Sequence, residues 1–137
     1  MIKIEHIGIA VKDLETANKI YASLLGKEHY KIEVVASEKV KTSFFMLGES
    51  KIELLQPTSE DSTIQKFIEK RGEGIHHIAI AVEDIYEEVE RLRQAGFEPV
   101  SETPKKGADN KLVFFFHPRS ANGVLIELCQ EMRNDEN

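Results

Sequence analysis

The apolar residues in the first half of the chain follow first a strand-like and then a helix-like spacing. Residues 2–11 alternate apolar and polar positions and are rich in β-branched side chains, which predicts a β-strand. Asp13 is a suitable N-cap for a helix whose apolar positions recur at helical spacing, and Gly26 is a suitable end for it. Strand-like runs follow at residues 31–36, 39–47 and 51–56. The first half is therefore predicted to be a βαβββ unit.

The second half repeats this order after a connection. Residues 58–73 predict a linker that contains a short helix at 62–70. A strand at 75–82 and a helix capped by Asp84 and closed by Gly96 come next. Further strands are predicted at residues 97–101, 111–117 and 123–129. The second half is therefore predicted to be another βαβββ unit.

The two halves also share sequence, with a histidine in register. Residues 6–14 return as residues 77–85 with six of nine positions identical at an offset of 71. The run 51–55 is answered by the run 124–128; each carries one glutamate, and the two glutamates, Glu53 and Glu127, are 74 residues apart. A duplication accounts for both matches. We predict one α+β domain over residues 1–137 with duplicated halves at about 2–57 and 74–130, built as two tandem βαβββ modules.

The duplicated polar residues are candidate metal ligands: His6, Glu53, His77 and Glu127. Two neutral imidazoles and two carboxylates would neutralise a divalent ion, and nitrogen and oxygen donors suit Co, Zn, Mn or Ni. The alternative is that the histidines make ordinary polar contacts and the glutamates face solvent. Matched placement in both halves favours the metal. His76 is not counted among the ligands, because adjacent strand residues point to opposite faces and His77 occupies the repeat position.

Length and charge narrow the class of protein. A chain of 137 residues can bury a core as one domain. Its net charge of -6 opposes nonspecific binding to nucleic acid, which depends on basic side chains. No apolar run approaches the roughly 18 residues of a membrane span. Cys129 is the single cysteine and lies in an apolar run, so we expect a reduced thiol and a cytoplasmic protein with no membrane partner.

A basic segment stands out against the acidic background. Between Pro104 and Arg119 the segment carries a charge of +3, with one acid, Asp109. Its basic residues are Lys105, Lys106, Lys111 and Arg119. The segment could hold an anionic ligand, or it could be an ordinary solvated loop, and the residues alone leave both interpretations open.

The repeated motifs resemble the vicinal oxygen chelate superfamily, which includes glyoxalases, bleomycin resistance proteins and dioxygenases. Within it they are similar to the methylmalonyl-CoA epimerase family. The similarity covers residues 3–130 and rests on the motifs at residues 6–11, 52–57, 72–79, 117–120 and 123–128. The resemblance implies that the two modules form a cupped, barrel-like mixed sheet around a metal site. It also implies a homodimer, and metal ligands at His6, Glu53, His77 and Glu127.

The same resemblance implies an activity. The metal would stabilise the enolate formed when an acyl-CoA substrate, methylmalonyl-CoA, loses the proton at C2, and epimerisation would interconvert its (R) and (S) forms. We expect Glu127 to act as one base, and Lys105, Lys106, Lys111 and Arg119 to bind the CoA phosphates. A carboxylate that serves as base in some epimerases falls near Thr42 or Ser43 here, which leaves the second base open. The alternatives are a glyoxalase I (lactoylglutathione lyase) and a metal-independent binding protein of the same fold.

Overall fold

The structure is a computed structural model that describes residues 1–132, and it contains two compact units. The first unit is His6–His76, and the second consists of Met1–Glu5 together with the residues from His77 onward. The elements are β1 (Lys3–Ala10), α1 (Leu14–Leu25), β2 (Lys31–Val35), β3 (Val40–Leu47), β4 (Ser50–Pro57), α2 (Thr63–Arg71), β5 (Gly74–Ala81), α3 (Ile85–Gln94), β6 (Lys105–Lys106), β7 (Lys111–Phe116) and β8 (Ile126–Glu131).

The first unit is a four-stranded mixed sheet in the order β2-β3-β4-β1. Strand β3 runs antiparallel to both β2 and β4, whereas β1 and β4 pair in parallel. Helix α1 packs on one sheet face through a cluster that includes Leu14, Phe45 and Leu54. Helix α2 covers one end of the opposite face, where Ile64 and Ile68 contact Leu55. The same face also carries Thr42 and Glu53 among its apolar residues.

The second unit repeats this arrangement in the order β5-β8-β7-β6. Strands β5 and β8 are parallel, and the other neighbours are antiparallel. Helix α3 packs on one face through Ile85, Phe114 and Leu128. Both units therefore have the element order βαβββ, which confirms the α+β prediction of two tandem modules.

Matching hydrogen bonds tie each helix to its sheet. The predicted N-caps are confirmed: Asp13 accepts from the Thr16 N–H at 3.0 Å, and Asp84 accepts from the Glu87 N–H at 3.1 Å. At each helix start a glutamine side chain from the closing strand accepts another backbone N–H. Gln56 Oε1 lies 2.6 Å from Leu14 N, and Gln130 Oε1 lies 2.7 Å from Ile85 N. Because each glutamine is three residues beyond a candidate glutamate ligand, these bonds help to hold the glutamate-bearing strands in place.

The predicted strand at 97–101 is wrong. Only Pro99 in this stretch makes a bridge, to Phe116, and the edge strand of the second unit is β6 at Lys105–Lys106. Two backbone hydrogen bonds flank this bridge, from Val100 N–H to Phe115 O at 2.9 Å and from His117 N–H to Glu98 O at 2.7 Å, and the pairing does not extend into a strand. Among residues 1–132, no helix is long and apolar enough to span a membrane.

Candidate functional site

The first unit holds one buried histidine and glutamate pair. His6 lies on β1 and Glu53 on β4, and their side chains meet with His6 Nδ1 3.1 Å from Glu53 Oε2. The two residues are 5% and 4% exposed. Parallel pairing sets Gly8 beside Glu53, and the absence of a side chain on this glycine leaves room next to the carboxylate.

The second unit holds an equivalent pair. His77 on β5 and Glu127 on β8 approach to 3.0 Å, measured from His77 Nε2 to Glu127 Oε1. They are 5% and 6% exposed. Ala79, another small residue, lies beside Glu127 in the parallel register. The ring of Phe115 packs edge-on against His77, with centroids 5.8 Å apart.

The strand registers of the two units match around these glutamates. In the first unit Glu53 lies opposite Phe44 of the antiparallel neighbour, and in the second unit Glu127 lies opposite Phe115. Each histidine is two residues before the small residue that flanks its glutamate. The duplication seen in the sequence is therefore preserved in the hydrogen-bonded register.

The chemistry of these donors fits a metal ion. Buried imidazole and carboxylate groups of the kind that could hold one occur in both units. A neutral imidazole can donate a hydrogen bond to Glu127, but it does not cancel the carboxylate charge, and an uncompensated buried charge is strongly unfavourable. In the first unit, Lys51 is also buried and pairs in register with His6, whereas the equivalent position of the second unit is Leu125. The buried Lys51 of the first unit thus has no counterpart at the equivalent position beside Glu127.

His76 and His117 lie in other environments. His76 packs edge-on against Phe67 of α2, with ring centroids 5.0 Å apart. His117 precedes a short 3₁₀ turn, where its Nδ1 accepts from the Arg119 N–H at 3.2 Å. Both histidines thus have contacts that account for them without a metal.

The four basic residues are divided between two faces and a turn. Lys105 pairs with Val113 and Lys106 with Leu112, so the two lysines point to opposite faces of the sheet. Val113 packs with Ala79 and Cys129, whereas Leu112 packs on the helix-side core. Lys105 and Lys111 therefore share the face that carries Glu127, and Lys106 does not.

Arg119 lies in the turn after β7. Its Nη2 donates to Glu98 Oε2 at 2.6 Å, and this bond holds the pKa of the Glu98 carboxyl below its usual value. Both side chains are well exposed, so the pair adds little to stability.

Thr42 and Ser43 occupy two different environments on β3. Ser43 is fully buried and donates its hydroxyl to Asn18 Oδ1 of α1 at 2.5 Å, on the helix side of the sheet. Thr42 is buried on the opposite face, the face that carries Glu53. A neutral hydroxyl carries no charge and is a far weaker proton acceptor than a carboxylate, so neither residue replaces one.

Sequence reasoning missed Gln56 and Gln130, which hold the starts of α1 and α3. The signal was present, because the two glutamines repeat at the same offset of 74 as the two glutamates. Their role needed the helix starts to be located next to them, which only the structure supplies.

Comparison with known proteins places the chain among epimerases. Residues 5–115 match the model of the Glyoxalase/Bleomycin resistance protein/Dioxygenase superfamily. The chain is 43% identical over 130 residues to the ethylmalonyl-CoA/methylmalonyl-CoA epimerase of Cereibacter sphaeroides, covering 93% of this chain and 97% of that protein. It is 39% identical over 129 residues to human mitochondrial methylmalonyl-CoA epimerase, covering 93% of this chain and 73% of the human protein.

A solved structure gives the same result. A variant of Streptomyces coelicolor methylmalonyl-CoA epimerase in complex with 2-nitronate-propionyl-CoA matches with a TM-score of 0.91 and 33% identity. The match covers 96% of this chain and 95% of that one. This likeness confirms the predicted fold class and the predicted family.

Proposed function

The chain belongs to the Glyoxalase/Bleomycin resistance protein/Dioxygenase superfamily, and on that premise we propose that it is a metal-dependent epimerase that interconverts (R)- and (S)-methylmalonyl-CoA. The observation that carries the proposal is the pair of buried histidine and glutamate contacts at matching register in the two units. The relatives named methylmalonyl-CoA epimerase, which cover more than nine tenths of this chain, supply the substrate class.

We propose that His6, Glu53, His77 and Glu127 together hold one divalent ion. Two carboxylates balance the charge of a dication, and the nitrogen and oxygen donors suit Co, Zn, Mn or Ni. Each unit contributes one histidine and one glutamate, as expected when a duplication builds one centre from two copies of a motif. When bound, such an ion supplies Lewis-acid chemistry that polarises a thioester carbonyl and lowers the barrier to loss of the neighbouring proton.

Glu127 is proposed to move the proton at C2. Its burial keeps the carboxylate out of bulk water, where hydration would weaken it as a base. His77 holds the carboxylate at hydrogen-bond distance, and the Phe115 ring packs against that imidazole and supports it. The carboxylate is therefore held in one position before the substrate arrives.

The basic residues Lys105, Lys106, Lys111 and Arg119 are proposed to bind the CoA phosphates. The placement favours Lys105 and Lys111, because they share the face that carries Glu127. Arg119 is engaged with Glu98, so it would have to exchange that partner for a phosphate. A homodimer in the cytoplasm is part of the proposal, and sedimentation equilibrium of the purified protein tests the dimer.

One experiment separates this function from its competitors. Protein purified without chelator is analysed for bound metal and assayed in D₂O on methylmalonyl-CoA and on the hemithioacetal of glutathione. An epimerase takes up deuterium at C2 of the CoA thioester. A glyoxalase I instead converts the hemithioacetal, and a binding protein converts neither. Bound metal without C2 exchange would refute the proposed activity.

A further inference from the structure

We propose that Lys51 of β4 binds the free carboxylate of the methylmalonyl group and so makes the site select carboxylated acyl-CoA thioesters over uncharged ones. This inference rests on the proposed function. The acyl group of the substrate carries one negative charge, on the carbon that epimerises, and the residues proposed to hold the CoA phosphates leave this charge without a partner. A buried lysine on the sheet face that carries Glu53 has the charge that such a carboxylate requires.

The strand register puts Lys51 on the same face of the first unit as His6 and Glu53. Lys51 lies beside His6 in the parallel pairing of β1 with β4, and it precedes Glu53 by two residues. Paired residues, and residues two apart on one strand, point to the same side of a sheet. The Cα atoms of Lys51 and Glu53 are therefore about 7 Å apart, a separation that a short acyl group can bridge between the two side chains.

The burial of Lys51 sets it apart from the other basic residues. It is 8% exposed, and among residues 1–132 no other lysine or arginine is buried. Removing a charged group from water is costly unless anions compensate it. Glu53 and Glu5, the residue before His6, are buried carboxylates that belong with His6 to one group of possible ligands. They supply part of this compensation, and an ammonium group has three donors, so it can bind a substrate carboxylate as well.

Lys51 lies between Glu53 and the exposed end of the hairpin that joins β3 to β4. The residue opposite Lys51 is Met46, which is 37% exposed, whereas Phe44, opposite Glu53, is 0% exposed. Exposure on this face therefore rises from the row of Glu53 to the row of Lys51. A ligand that reaches Glu53 from this end of the hairpin passes Lys51.

The other lysine on this face is engaged at the edge of the sheet. Among the described strand residues of the first unit, Lys31 of β2 is the second lysine that points to this face. Its ammonium group is 3.7 Å from Glu33 Oε1 and 4.7 Å from the centroid of the Phe44 ring. The Lys31 and Glu33 side chains are 37% and 35% exposed, so water weakens their electrostatic interactions. Lys51 is the stronger candidate because a charge held away from water interacts more strongly with a ligand.

The second unit shows that the module does not need a lysine at this place. Glu127 is the counterpart of Glu53, and the residue two positions before it is Leu125. Both units nevertheless have the same element order and the same parallel pairing of their first and last strands. The lysine is therefore explained by a ligand of the first unit rather than by the fold, and leucine is compatible with a module of this kind.

The test measures the Kd of protein purified without chelator for racemic methylmalonyl-CoA and for propionyl-CoA by isothermal titration calorimetry. The two thioesters differ only in the carboxylate. We expect Lys51→Leu to weaken binding of methylmalonyl-CoA about 10- to 100-fold, the usual range for a hydrogen bond to a charged group, and to leave the Kd for propionyl-CoA unchanged. Lys51→Arg keeps the charge and should keep most of the preference. Lys41→Leu makes the same change on the opposite face of the sheet, where Lys41 lies opposite Gln56, and should alter neither Kd.

Metal content and melting temperature are measured for each variant, and Lys51→Gln replaces Lys51→Leu if the leucine variant does not fold. Two results would overturn the assignment while the epimerase activity stands. The first is an unchanged Kd for both thioesters. The second is an equal loss of affinity for both, which would mean that Lys51 binds the shared CoA portion or only balances carboxylates of the protein. Failure of the proposed function looks different, because the wild-type protein itself would then show no C2 exchange of methylmalonyl-CoA.

Discussion

Replacing Glu127 by glutamine tests whether this residue combines metal binding with proton transfer. The substitution preserves the shape of the side chain and an oxygen donor but removes the charge. In the metal-free protein the amide can still hydrogen-bond His77, now 3.0 Å away, so the change in stability should be about 1 kcal/mol. The matched control is Glu53→Gln, because Glu53 occupies the equivalent register position and is proposed to bind metal without moving a proton.

Metal affinity sets the expected stability difference. An ion at 1,000 times its Kd stabilises the folded chain by about 4.1 kcal/mol. Changes in the groups that surround metal ligands weaken metal affinity by up to about 100-fold, and we expect at least this loss when one charged ligand is replaced. At the same ion concentration the stabilisation then falls to about 1.4 kcal/mol. The difference of about 2.7 kcal/mol corresponds to roughly 10 °C in Tm for a chain of 137 residues. Both glutamine variants should show this loss in thermal melts at fixed metal.

Activity at saturating metal separates the two glutamates. With metal restored, Glu53→Gln should recover epimerisation, whereas Glu127→Gln should remain about 10²- to 10⁴-fold slower. Glu127→Gln should also lose C2 exchange from one of the two epimers. Metal content, C2 exchange and epimerisation are measured on the same preparation. Near-normal epimerisation by metal-loaded Glu127→Gln would show that another residue handles the proton.

Three further outcomes are expected. His77→Ala should abolish metal retention, measured by elemental analysis, yet keep the far-UV spectrum, because the backbone pairing of β5 with β8 does not depend on the imidazole. Lys105→Ala should raise KM for the CoA thioester at unchanged kcat, and Lys106→Ala, on the opposite face of the sheet, should have the smaller effect. Equal KM values for the two variants would show that the face on which a lysine lies does not decide its contribution to substrate binding. Lys39→Gln should raise the pKa of Asp61 from about 2 towards 3.8 in an NMR titration, since the Lys39 hydrogen bond lowers it. Because the folded-state pKa is lowered, the wild-type advantage in stability should be present above pH 4 and lost as pH falls towards 2.

The sequence by itself predicted most of the helices and strands and the four candidate metal ligands. Local spacing predicts helices and strands because each element buries one face, and the predicted caps Asp13 and Asp84 act through neighbouring N–H groups. The repeat located both histidine and glutamate pairs, since residues at matching places of a duplication keep matching strand positions. The distinction between His76 and His77 needed only the alternation of side chains along a strand.

Only the tertiary structure decided which distant residues face each other. Strand register is set by packing and ladder hydrogen bonds between segments far apart in sequence, and a shift of one residue reverses every side chain. That register puts Glu33 opposite Thr42 and separates Lys105 from Lys106 onto opposite faces. It also limits the pairing of the predicted strand at 97–101 to one bridge at Pro99, so that the edge strand of the second unit is Lys105–Lys106. Whether a residue can act as a base or bind a phosphate depends on the sheet face on which its side chain lies and on its neighbours in space. The local spacing of residues along the chain does not specify either of these.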